Sequence, residues 1–174
     1  MEVVKTNLPG VKLVNLYVFK DHRGECVEMY NKKLYQDKGI KIKFIEDVFS
    51  VSYKNVLRGI HVDSKSWKLV SCLLGGTYLL IVNCEKKSSL FGKWQSFDLS
   101  DQNRSQVLVP PNHGIAHLAL TEKIIFHYKL SEYYDRSRQS TYKWDDKKFK
   151  ISWPIQNPIL SQRDIKGHYV NQNE

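Results

Sequence analysis

The 174-residue chain is 41% hydrophobic and 12% aromatic and has a formal net charge of +9. One domain, 1–174, is expected, since a chain this long buries roughly 70% of its unfolded surface; a mostly disordered protein and two full domains are excluded. No run of about 18 apolar residues and no charged-then-apolar leader is present, so no membrane partner is expected and a soluble, cytoplasmic protein is.

Short apolar segments recur in chain order between turn residues: 11–19, 44–53, 56–60, 67–74, 77–84, 94–99, 106–109, 116–120 and 124–130. That many short strands imply a sandwich or barrel. One helix is predicted over Asn31 to Lys38, with Asn31 as N-cap and Gly39 as terminator. Gly75-Gly76, between two strand-like runs, predicts a primed hairpin turn. Val109-Pro110-Pro111-Asn112-His113-Gly114 is a rigid turn re-entering a strand. After Tyr134 the pattern weakens to a polar loop at 135–138, a short strand at Lys150 to Trp153, and a loose tail from Gly167.

The excess charge is lysine scattered along the chain. In Lys41-Ile42-Lys43 and Lys147-Lys148-Phe149-Lys150 it alternates with apolar residues like the solvated face of a strand. No helix-turn-helix, zinc finger or aromatic RNA-binding motif accompanies it, so no nucleic-acid partner is expected, whereas a diphosphate ligand is compatible. Cys26, Cys72 and Cys84 are odd in number and lack CxxC spacing, which predicts buried thiols rather than disulfides or zinc.

Chemistry concentrates in Arg58-Gly59-Ile60-His61, Tyr128-Lys129 and the run Leu160 to Asp164. An arginine, an imidazole, a phenol and a carboxylate, if folding gathers them, suit proton transfer at a carbon next to a ketone in an anionic sugar nucleotide.

These residues, together with Phe19 to Gly24, Glu28, Asn55 to His61, Lys68-Leu69-Val70, Phe91 to Trp94, Val109-Pro110-Pro111, Tyr133-Tyr134, Lys143 to Asp146 and Ile151 to Pro154, resemble the dTDP-4-dehydrorhamnose 3,5-epimerase family over nearly the whole chain. The resemblance implies an all-β double-stranded β-helix (jelly-roll, cupin-type) barrel with a few short helices. It also implies a homodimer joined through the N-terminal strand, with no cofactor and no metal. By that resemblance His61 is the general base at C3 and C5, Asp164 orients its imidazole, Tyr128 donates a proton from the opposite face, and Lys68 stabilises the enolate oxygen. A neighbouring cation would ease formation of the Tyr128 phenolate. Arg58 holds the anionic substrate, Arg23 and Arg163 meet the diphosphate or its surroundings, and Glu28, Glu46 and His117 complete the substrate-binding set.

Three departures bear on specificity. The loop Val62 to Trp67 is shorter than the family's and lacks its prolines. An ungapped alignment places Ile115 where the family has its second histidine, so either His117 or His113 substitutes or that contact is lost. Glu46-Asp47-Val48 replaces a Gln-Asp-Asn run, and a carboxylate can accept both edge N–H groups of guanine. A GDP-4-keto-6-deoxy-heptose or related GDP-4-keto-heptose of capsule synthesis is therefore the expected substrate, with dTDP-4-dehydro-6-deoxyglucose as the alternative.

Two other classes compete. A metal-dependent cupin needs two or three convergent ligands, commonly two histidines one residue apart; His61 has no such neighbour, and His113 and His117 are four apart. A catalytically silent sugar-nucleotide module would lose the acid or the base, and here both remain.

Overall fold

The structure is a computed structural model that describes residues 1–170. In chain order it forms β1 (Glu2–Lys5), β2 (Lys12–Asn15), β3 (Val18–Asp21), β4 (Gly24–Val27), α1 (Lys32–Asp37), β5 (Glu46–Tyr53), β6 (Leu57–Asp63) and β7 (Lys68–Leu74). It continues through β8 (Gly76–Asn83), β9 (Trp94–Ser100), β10 (Ser105–Val109), β11 (His113–Ala119), β12 (Lys123–Leu130), β13 (Gln139–Thr141) and α2 (Gln162–Ile165). A six-stranded sheet in the order β1-β2-β10-β7-β12-β5 faces a five-stranded sheet in the order β13-β6-β11-β8-β9, and β3 and β4 form a separate ribbon. This is the all-β jelly roll.

Three apolar layers explain why the strands read as continuous hydrophobic runs. The inner layer joins Val70, Val107, Ile124 and Phe126 of one sheet to Leu79, Ile81, Phe97 and Ile115 of the other. The outer face of the six-stranded sheet is covered by Tyr35, Ile40 and their neighbours, and that of the five-stranded sheet by Tyr142, Phe149 and Val170. With both faces covered, all seven residues of β11 are buried and the period-two signal disappears.

The predicted helix is present as α1: Asn31 Oδ1 accepts from the Leu34 amide at 3.1 Å, and Gly39 follows with φ +79°. The expected strand over 11–19 is divided, because the chain leaves the six-stranded sheet after Asn15 and enters the ribbon at Val18. Gly75-Gly76 is not a hairpin turn. β7 pairs with β10 and β12, and β8 with β11 and β9, so the glycines carry the chain from one sheet to the other. Gly75 does need its freedom: φ is +74°, and a Cβ would lie 2.3 Å from Thr121 Oγ1.

Lys150 to Trp153 forms no strand. Lys150 has φ +50°, and the segment is tied down by indole donors instead, Trp94 Nε1 to the Phe149 carbonyl at 2.9 Å and Trp153 Nε1 to the Trp144 carbonyl at 2.8 Å. Neither lysine run is a strand face, since 41–45 precedes β5 without ladder pairing and 147–150 is a turn anchored by buried Phe149. The chain from Gly167 is docked as far as it is described. The His168 amide donates to the Thr141 carbonyl at 3.0 Å, and the Val170 amide to Asp146 Oδ2 at 2.6 Å; 171–174 lie outside the described residues. Cys72 and Cys84 are buried, but Cys26 is exposed on the ribbon.

Candidate active site

β6 delivers His61 because a glycine lets its neighbour press close. Gly59 has φ +130°, and a Cβ there would lie 2.5 Å from both the Ala116 Cβ and the Ile115 carbonyl of β11, so no other residue fits between Arg58 and Ile60. The Gly59 amide donates to the Asp164 carboxylate.

Asp164 is held by its own short helix. Ser161 caps α2: its Oγ accepts from the Asp164 amide at 3.2 Å and donates to Asp164 Oδ2 at 2.6 Å. Asp164 Oδ1 meets His61 Nε2 at 2.6 Å, with side-chain exposures of 2% and 24%. Burial would raise the Asp164 pKa, but the hydrogen bonds from His61, Ser161 and the Gly59 amide outweigh it and hold the carboxyl below its ordinary value. Burial pushes the His61 imidazole down, Asp164 opposes this, and the charges of Arg163 and Lys68 add to the lowering. The ring is therefore neutral at pH 7. With Nε2–H donated to Asp164, the lone pair falls on Nδ1.

His61 lines a cleft of about 270 Å³ between the sheets, shared with Tyr128, Lys68, Arg58, Arg163 and His117. The six-stranded sheet supplies Lys68 and Tyr128 from adjacent strands, where Tyr128 pairs with Val70 and Lys68 with Leu130. Burial lowers the Lys68 pKa, with Asp63 opposing. Burial raises that of Tyr128, overriding the lowering by Arg58 and Arg163, so the phenol stays protonated and the expected easing toward phenolate does not prevail. Arg163 is aimed by two hydrogen bonds, Nε to Thr141 Oγ1 at 2.9 Å and Nη2 to Gln139 Oε1 at 2.8 Å. Arg58 is exposed, and its Nε donates to Ser52 Oγ at 2.9 Å. An acceptor nitrogen, a protonated phenol and a lysine around one cleft can take a proton from carbon, return one and stabilise an oxyanion between.

The family profile described as dTDP-4-dehydrorhamnose 3,5-epimerase matches residues 5–172. The chain belongs to the dTDP-4-dehydrorhamnose 3,5-epimerase family. The family enzyme of Shigella flexneri is 36% identical over 96% of this chain and 94% of its own, and that of Methanothermobacter thermautotrophicus 32% over 98% and 95%. The crystal structure of the Bacillus anthracis dTDP-4-dehydrorhamnose 3,5-epimerase, with TDP and PPi bound, superposes with a TM-score of 0.93 at 34% identity, covering 97% of this chain and 99% of that one. The Legionella pneumophila dTDP-6-deoxy-D-glucose-3,5-epimerase, in complex with dTDP-4-keto-L-rhamnose, gives 0.92 at 30%, covering 97% and 92%. This chain is accordingly an isomerase, an epimerase of nucleotide-linked 4-keto sugars.

Within this epimerase the cleft gathers His61, Asp164, Lys68, Tyr128, Arg58, His117 and Arg163. Of the two candidate histidines His117 is in the cleft, whereas His113 turns to the Pro111 carbonyl at 3.1 Å. Three expected substrate-binding residues are not brought to it. Arg23 stands 79% exposed at the ribbon turn, paired with Asp21; Glu28 accepts from Asn31 Nδ2 at 3.2 Å; Glu46 lies beside the cleft with Oε2 taken by the Tyr134 amide at 2.8 Å. Ser50, Phe126 and Gln139 line the cleft with no signal in the sequence to mark them, and Tyr134 of the Tyr133-Tyr134 motif lines it as well. Ser161 was quoted in a motif, and its spacing of three from Asp164 is the readable signature of a cap.

Proposed function

We propose that the protein is a cofactor-independent 3,5-epimerase of dTDP-4-dehydro-6-deoxyglucose, with His61 as base, Asp164 orienting it, Tyr128 as acid and Lys68 on the enolate oxygen. His61 Nδ1 takes the proton from C5 or C3, and the C–H electron pair moves into the C4 carbonyl to give an enolate. Lys68 meets that oxygen, a fixed donor of this kind being worth about 3 kcal/mol. The Tyr128 phenol then protonates the carbon from the opposite face, and solvent resets phenolate and imidazolium. The observation that supports this best is the His61–Asp164 pair sharing one cleft with a protonated Tyr128.

The dTDP substrate rests on the names of the relatives, which carry dTDP. The relatives named above do not carry GDP or a heptose in their names, and the physical argument for a GDP-heptose of capsule synthesis weakens. One oxygen of Glu46 already accepts from the Tyr134 amide, so a guanine edge would have to share that oxygen with the amide. Mass and NMR analysis of products from dTDP- and GDP-linked 4-keto sugars tests both; conversion of the GDP sugar alone would overturn the dTDP assignment.

We also propose a cytoplasmic homodimer of single-domain chains that use no cofactor or metal. Tyr17, Phe19 and Arg23 stand exposed at the ribbon, which suits burial by a second copy and would let Arg23 and Glu28 serve the partner's cleft. Light scattering should give twice the 20.4 kDa chain mass.

A further inference from the structure

Three cations line the cleft, Arg58, Lys68 and Arg163, and among the described residues no carboxylate lines it with them. No hydrogen bond or ion pair within the described residues holds the Lys68 ammonium. Like charges gathered in a half-buried space disfavour one another unless a counter-charge stands close. Two buried carboxylates act on this group. Asp164 is committed to His61, Ser161 and the Gly59 amide. Asp63, 3% exposed at the end of β6, is less fully occupied: Oδ1 accepts from the amides of Lys65 and Ser66, each at 2.9 Å, while Oδ2 meets the Gln139 side-chain amide at 3.4 Å.

Gln139 carries the contact into the cleft. It pairs with Asp63 across β13 and β6, its Nε2 donates to Asp63 Oδ2, and its Oε1 accepts from Arg163 Nη2 at 2.8 Å. An ionised carboxylate can only accept, so it turns the amide nitrogen toward itself and leaves the amide oxygen for the guanidinium; the flipped amide would set donors against donors. Asp63 is ionised. Burial would raise its pKa, but the Lys65 and Ser66 amides, the Lys68 charge and Gln139 outweigh it and hold the carboxyl below its ordinary value. In return Asp63 opposes the lowering of Lys68 by burial, to which the Arg163 charge adds. The other titratable groups around Lys68 offer no such charge: the His61 ring and the Tyr128 phenol are neutral, and Glu46, two strands away in register, is turned to the Tyr134 amide.

We propose that Asp63 is a positioning residue of the epimerase: through Gln139 it aims Arg163, and its charge keeps Lys68 an ammonium for the enolate oxygen. This rests on the reading of the cleft as a 3,5-epimerase site, where a charged donor stabilises the developing oxyanion.

Asp63→Asn keeps the shape and an acceptor for the turn amides and removes the charge. The basic limb of its kcat/KM–pH profile should move to lower pH, so that the variant falls roughly tenfold further below the wild type at about pH 9 than at about pH 7. Asp63→Glu, which keeps the charge, should hold the limb near the wild-type position. An equal loss at every pH, which damage to the turn alone would produce, overturns the proposal, as does a limb displaced as far by Glu as by Asn. Carbon-13 NMR of protein labelled at lysine Cε reads the same group without turnover. The Lys68 resonance, assigned by its loss in Lys68→Arg, should titrate at lower pH in Asp63→Asn than in the wild type; equal midpoints overturn the proposal. Should Asp63→Asn fail to fold, Asp63→Ser, uncharged but still able to cap the turn, gives the same two readings. Failure of the wild type to turn over any 4-keto sugar nucleotide overturns the epimerase reading, and the NMR titration then decides the Asp63–Lys68 pairing by itself.

Discussion

Among the described residues the barrel carries two histidine–carboxylate pairs, and their difference separates a proposed base from a structural clamp. His61 meets Asp164 inside the cleft; His127 meets Asp47 on the outer face of the same six-stranded sheet that carries Tyr128 inward. The outer pair spends its partners differently. Its Nδ1 takes Ser71 Oγ at 3.1 Å, its Nε2 takes Asp47, and Asp47 also receives Lys129. A serine, a histidine and an aspartate in contact look catalytic on paper, yet both ring nitrogens are engaged and Ser71 is buried. His61 has one nitrogen engaged and one left for a substrate. A free lone pair at a cavity, rather than the company of a carboxylate, is what makes His61 the proposed base.

That contrast is open to attack in order of expected effect. His61→Asn should lower kcat/KM by about 1,000-fold or more, the usual scale for losing a general base; a loss under tenfold would place the base elsewhere. Asp164→Asn keeps the shape and lets the wrong tautomer in, so a drop of about 100- to 10,000-fold in kcat with little change in KM is expected from steady-state kinetics. Tyr128→Phe should reduce inversion by about 100-fold or more while the variant still exchanges substrate hydrogen with D2O from the His61 side; loss of both together would assign the phenol a different task.

A pH series probes His117. The unfolded chain takes up a proton on this ring near pH 6.5, whereas the folded ring resists to about 3. Its contribution to stability is therefore complete above 6.5 and lost progressively as pH falls toward 3. His117→Gln should flatten the acid side of the Tm–pH curve; an unchanged slope would deny that burial holds the ring neutral. The smallest effect belongs to the outer clamp. Asp47 is 53% exposed, and an exposed pair is worth about 0–1 kcal/mol, so Asp47→Asn and His127→Asn should shift Tm by a few degrees at most and kcat/KM by less than tenfold.

Much of this fold was legible because alternating or continuous apolar runs and the Asn31 cap are local signals. Gly75-Gly76 failed because glycine announces positive φ without saying which strands pair, and here they lie in different sheets. Lys150 to Trp153 failed because its apolar residues serve as side-chain anchors for an irregular segment. Within the site, Arg58, His61, Tyr128, Arg163 and Asp164 were readable from motifs with reactive side chains, and Lys68 from resemblance. Ser50 was not, since nothing in the sequence distinguishes a serine on β5 that lines a cavity from one that does not. Arg23 and Glu28 were placed by resemblance alone, and their positions on the ribbon and its exit show how far a motif can stand from the cleft of its own chain.

Solvent exchange tests the central claim most directly. With the 4-keto sugar nucleotide in D2O, the wild type should place deuterium at C3 and C5, His127→Asn should do so at nearly the same rate, and His61→Asn should place none. Deuterium uptake by His61→Asn at the wild-type rate would contradict the account.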